Sequence, residues 1–98
     1  MDWYEARDNC KRLGGDLLVI HSKEVEQKAM KGANDHWIGL QSPQRNGVYQ
    51  WVDGSKPTYT NWGPFKPSPD SDGCVIITYG GRWYTMLCVA ELSSICEI

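Results

Sequence analysis

Four cysteines, Cys10, Cys74, Cys88 and Cys96, constrain this 98-residue chain more than any other feature. None lies in a CxxC spacing, and neither His21 nor His36 stands beside one, so the usual ligand pattern of a zinc site is missing. An even set without metal spacing points to two disulfides, and so to an oxidising, extracellular compartment. Spacing alone leaves three pairings open. A bridge from Cys10 to Cys96 would close almost the whole chain and contribute roughly 4 to 5 kcal/mol through unfolded-state entropy, a Cys74–Cys88 loop about 3. One domain of this length sits near the lower limit of a self-sufficient core, so such terms decide whether it folds.

The remaining patterns read as one domain over residues 1–98. Trp3, Ala6, Cys10 and Leu13 share a helical face, and Gly14-Gly15 ends that helix. Leu17 to Ile20 is a short buried strand. Ser22 is the N-cap of a second helix from about Lys23 to Lys31, with Val25 and Ala29 inward. Strands follow at Trp37–Leu40 and Tyr49–Val52. An irregular stretch from Ser55 to Gly73 then holds four of the five prolines. Cys74 to Tyr79, a Gly80-Gly81 turn and Arg82 to Tyr84 form a hairpin, and Ser94 to Ile98 a closing strand. Helices first and strands later make an α+β class. The net charge of −2 offers no basic face for nucleic acid. Leu17 to Ile20 is far too short to insert into a bilayer, and Asp2 and Glu5 do not suit a signal peptide.

Several strings, taken in order, resemble the C-type lectin-like domain over essentially the whole chain. They are Trp3-Tyr4-Glu5-Ala6-Arg7 with Cys10, Gly15 to Ile20 with Ser22, and Trp37-Ile38-Gly39-Leu40. Trp51 to Ser55, Tyr59-Thr60-Asn61-Trp62, Cys74-Val75, Trp83, Cys88 and Ile95-Cys96-Glu97 complete the series. The resemblance implies Cys10–Cys96 and Cys74–Cys88 bridges, and a fold of two helices, small antiparallel sheets and a long loop. Family members carry a strand ahead of the first helix, whereas this sequence starts at the helix. Either the sequence is a piece of a larger extracellular protein or the strand is absent by nature; in both cases the expected fold over these residues lacks that first strand and leaves an open sheet edge beside the closing strand, an invitation to homodimerise.

The resemblance also implies where calcium and sugar would sit, and those positions lack the chemistry. Calcium takes six to eight oxygens, carboxylates foremost. The loop tripeptide that would supply them is Lys66-Pro67-Ser68, which places a cation where a dication should bind. The Asn-Asp pair expected after Trp83 is Tyr84-Thr85. Only Asp72 matches a ligand position with a carboxylate, and Ser42 and Asn46 stand at the auxiliary site. No metal or other cofactor is therefore expected. Asp70 and Asp72 with Ser71 read as a solvated acidic loop in preference to a weak cation site. The Lys66-Pro67 bond is expected trans.

The expected function is calcium-independent extracellular recognition, through the loop from about Pro57 to Gly73 and the strand Arg82–Thr85. The candidate ligand-binding residues are Phe65, Lys66, Ser68, Asp70, Asp72, Arg82, Tyr84 and Thr85. Phe65 and Tyr84 would anchor a protein partner while charges set orientation. Trp37, Trp51, Trp62 and Trp83 are assigned to the core, and both histidines to structural roles. Three alternatives remain: glycan or sulfated-polysaccharide binding using Lys56, Lys66 and Arg82, a spacer domain in a larger receptor, and an ice- or mineral-binding use of the fold, for which Thr58, Thr60, Thr78 and Thr85 are too few and scattered. With every cysteine bridged and no Ser-His-acid set to nominate, the chain is not expected to be an enzyme.

Overall fold

The computed structural model describes residues 1–29, 35–42, 48–63, 73–78 and 81–97. Helix α1 spans Trp3–Arg12. Its start is fixed by a capping box: the Asp2 carboxylate accepts from Glu5 N at 2.9 Å, and Glu5 returns the contact to Asp2 N at 3.0 Å. Trp3, Ala6 and Cys10 are buried as their spacing predicts. Leu13 is not: it is 56% exposed. It is the C-cap, followed by Gly14 at φ +96°, so the chain leaves the helical path before that side chain completes the apolar face.

Strand β1, Asp16–Leu17, is shorter than the apolar run suggests. Beyond it the backbone bonds go to scattered partners: Leu18 N donates to Ile95 O, and Leu18 O accepts from Gly39 N. Leu18 and Ile20 are buried without forming a ladder. Helix α2, Lys23–Ala29, opens with Ser22 Oγ accepting from Val25 N. Strands β2 (His36–Gln41), β3 (Gln50–Trp51), β4 (Gly73–Ile77) and β5 (Trp83–Leu87) follow, then β6 (Ser93–Ser94) and β7 (Cys96–Glu97). The hairpin strand β5 thus runs past Tyr84 to Leu87, and the closing strand is split in two.

Sheet order is β3-β2-β4-β5, with β6 parallel to the start of β2 and β7 antiparallel to β1. All five residues of β4 are buried, as a strand covered on both faces must be. Val75 and Ile77 face one apolar cluster with Ile38, Leu40, Trp51 and Trp83. Cys74 and Ile76 face a second with Trp3, Ala6, Trp37 and Cys88. The β2–β4 register slips between Trp37 and Gln41, and within that stretch Trp3 Nε1 donates to Ile38 O at 3.0 Å. Gly39 lies there too. A Cβ on it would stand 2.9 Å from Leu17 O and 3.0 Å from Leu18 O, so only glycine allows the two backbones to meet. Disulfides join Cys10 to Cys96 and Cys74 to Cys88, the pairing implied by the resemblance.

Candidate functional site

Residues 57–63, where the sequence predicts the start of the long loop, are braced from three sides. From α2 comes Glu26, a carboxylate only 3% exposed. It accepts from the Tyr59 hydroxyl at 2.8 Å and from Asn61 Nδ2 at 3.1 Å. Asn61 Nδ2 also donates to Gly81 O at 2.8 Å, tying the same side chain to the β4–β5 turn. Burial first, then the hydrogen bond and charge of Glu26, push the Tyr59 phenol up to about 12. Tyr59 therefore stays neutral and keeps donating.

The second brace is backbone pairing. Trp83 N donates to Asn61 O and Gly63 N to Trp83 O, each at 2.8 Å, extending the sheet by one parallel bridge at Trp62. The third is aromatic. Trp83 meets Trp51, Tyr59 and Trp62 edge to face at 5.5, 6.0 and 5.6 Å, and Trp62 packs on Tyr49 at 5.3 Å. Trp37, Trp51 and Trp83 are fully buried, as assigned. Trp62 is only partly buried, because it lies where the loop parts from the core.

The sequence-derived candidates divide sharply. Phe65, Lys66, Ser68, Asp70 and Asp72 lie outside the described residues, as do Asn46 and the Lys66-Pro67 bond. Arg82 is exposed at the β4–β5 turn, its carbonyl taken by Thr78 N and Oγ1. Tyr84 is half-buried and is no free anchor: its ring lies over Gly63 and leaves no room for a Cβ there. Thr85 is only 5% exposed. It alternates with Tyr84 along β5 and shares the inward face of Trp83, so it cannot meet a ligand as a surface residue. Ser42 is buried too, with its N–H donating to Gly73 O. β5 thus offers no carboxylate to a cation, and its two candidate side chains are committed to packing.

Sequence reasoning missed Glu26. It reads as a helix-start charge, and only the pair of donors at Tyr59 and Asn61 hints that the loop needs a buried acceptor. His21 has a local role: Nε2 lies 3.6 Å from Asp53 Oδ2 and 3.5 Å from Ser55 Oγ, and its ring meets Trp51 edge-on. Ser55 and Asp53 approach the same ring nitrogen, and Ser55 Oγ donates to Asp53 Oδ1. A relay would need them on opposite nitrogens. Asp53 is held below the usual carboxylate range by the Ser55 hydroxyl, the Ser55 N–H and then His21.

A family model for the lectin C-type domain matches residues 1–98. The chain belongs to the C-type lectin family. This lectin-type domain is 37% identical over 100 residues to the low affinity immunoglobulin epsilon Fc receptor of Mus musculus, covering 97% of the chain and 30% of the receptor. It thus spans less than a third of that relative's length. Among solved structures, a calcium-independent type II antifreeze protein superposes with a TM-score of 0.92 at 35% identity, over 98% of this chain and 77% of that one. The cow CD23 carbohydrate-recognition domain, solved in the presence of a GlcNAc2Man3 oligosaccharide, gives 0.90 at 34%, covering 98% and 78%. No helix among the described residues is long and apolar enough to cross a membrane.

Proposed function

We propose that residues 1–98 form one extracellular, non-catalytic recognition domain that binds a protein ligand without calcium. The ligand surface is the loop over residues 57–73 together with the exposed turn at Arg82. The observation that carries this reading is the state of β5: Tyr84 covers Gly63 and Thr85 is buried, so the strand presents no cation ligands. A braced loop root also suits binding by surface complementarity, because pre-ordering the frame lowers the entropic cost of association. Two disulfides support the extracellular assignment. A relative named as an immunoglobulin receptor supports a protein ligand, and the calcium-independent antifreeze protein shows that the same scaffold exists without the ion. Exposed Arg82 favours one second reading, an anionic glycan met by Arg82, Lys56 and Lys66.

Thermal melting of the oxidised domain in millimolar calcium against chelator tests the reading. A native-state site filled to about 100 times its dissociation constant would stabilise by about 2.7 kcal/mol. In a domain this size that is roughly 10 to 20 °C. No shift is expected. A clear rise would return calcium-bridged sugar binding to first place. Salt-sensitive capture on heparin beads, lost on Lys66→Ala, would favour the anionic glycan.

A further inference from the structure

Away from the loop root, between β1, α2 and the turn after β3, lies an open groove of about 550 Å³. That volume is within the range of clefts that hold ligands. Its walls are apolar, with Val19, Val25 and Val52 half-buried around the buried Leu17. Its ionisable groups are three carboxylates, Asp16, Asp53 and Glu97, and one imidazole, His21.

These carboxylates are not equivalent. Asp16 is neutralised by Arg7, whose Nε and Nη2 donate to its two oxygens at 3.1 and 3.3 Å. Among the described residues Asp53 meets Ser55 and the His21 ring, whose Nε2 lies 3.6 Å from Oδ2. Glu97 accepts from Val19 N at 3.3 Å through Oε1. Among the described residues no lysine or arginine pairs with Asp53 or Glu97. The groove therefore sets two carboxylates without a lysine or arginine partner, Asp53 with only the His21 imidazole beside it, against an aliphatic wall. A small inorganic cation fits poorly. Calcium needs six to eight converging oxygens, whereas among the described residues the only group of three or more His, Cys, Asp or Glu side chains with ligand atoms within 4.8 Å of one another is Asp2, Glu5 and Glu91, outside the groove.

A long cationic side chain fits both features, since its methylenes cover apolar surface while its head group stays with charge and water. We infer that this groove is a docking site for a basic peptide segment. Arginine or lysine stems lie along Val19, Val25 and Val52, and their cations face Asp53 and Glu97.

The test is an amide chemical-shift titration of the oxidised chain with acetyl-Arg-Leu-Arg-amide, alongside its acidic counterpart acetyl-Glu-Leu-Glu-amide. The basic peptide should give saturable shifts at Val19, Val25, Val52 and Glu97, and the acidic one none. Each of Glu97→Gln and Asp53→Asn should weaken binding about three- to fivefold, as expected for a half-exposed ion pair. Glu91→Gln, remote from the groove, should leave it unchanged. Both test variants keep an acceptor oxygen for their backbone donors, and an unchanged melting midpoint checks their folding independently. The inference fails if the basic peptide gives no saturable shift at millimolar concentration, if the acidic peptide does as well, or if neither variant alters affinity. Calcium chloride alone reproducing the same shifts would make the groove a cation site and would equally overturn it.

Discussion

Removing Glu26 should loosen the loop root while sparing the rest of the fold. In Glu26→Ala, Tyr59 loses its acceptor and Asn61 keeps only Gly81 O. Hydrogen bonds to a charged group contribute about 1.5–3 kcal/mol each, but deleting the carboxylate also removes its own desolvation cost. The net loss should be about 2 kcal/mol, or roughly 8–16 °C in midpoint. Glu26→Gln, which can still accept from Asn61, should lose about half as much. The decisive assay is a double-mutant cycle with Tyr59→Phe, read by urea denaturation. Because the two groups touch directly, their effects should fall short of additive by about 1 kcal/mol. Hydrogen exchange at Gly63 and Trp83, whose amide and carbonyl pair across the loop root, should speed up in step. A coupling below about 0.3 kcal/mol, within the error of additivity, would refute the brace.

Gly39→Ala should cost about 1–3 kcal/mol by denaturant melting, because the new methyl meets backbone oxygens that cannot rotate away. Tyr59 should resist ionisation in an absorbance titration until about pH 12. Its folded pKa is raised above the ordinary phenol value, so its contribution to stability is complete below about pH 10. That contribution disappears as pH climbs towards 12, and Tyr59→Phe should flatten this part of the stability profile. Replacing Cys10 and Cys96 by serine should destabilise by about 4–5 kcal/mol and replacing Cys74 and Cys88 by about 3, following their separations of 86 and 14 residues. Sedimentation at high concentration should show dimers formed through β7, which among the described strands pairs only with β1. Purely monomeric behaviour would remove the homodimer from consideration.

What was legible in the sequence is what repeats a local rule. Trp3, Ala6 and Cys10 announce a helix face through their spacing, and Ser22 announces a helix start through its cap. Both stand where expected. Leu13 obeyed the same spacing and failed, because spacing does not say where the helix stops obeying it. The apolar run Leu17 to Ile20 showed burial but not pairing, since its backbone partners, Ile95 and Gly39, are set by tertiary contacts. Thr85 failed for a related reason. A polar residue beside a loop looks like a surface residue until the register of β5 fixes the side on which Trp83 is buried, and alternation carries Thr85 inward with it.

Glu26 shows the limit most clearly. Its place in the first turn of α2 gives its charge a purely local reason, yet it is buried because donors 33 and 35 residues later converge on it. No local pattern encodes such a meeting. The Tyr59-Thr60-Asn61-Trp62 string is thus explained by the frame it holds and need not touch a ligand. The frame at residues 59–61 is held by bonds within the chain, Glu26 to Tyr59 and Asn61 foremost, whatever the domain binds.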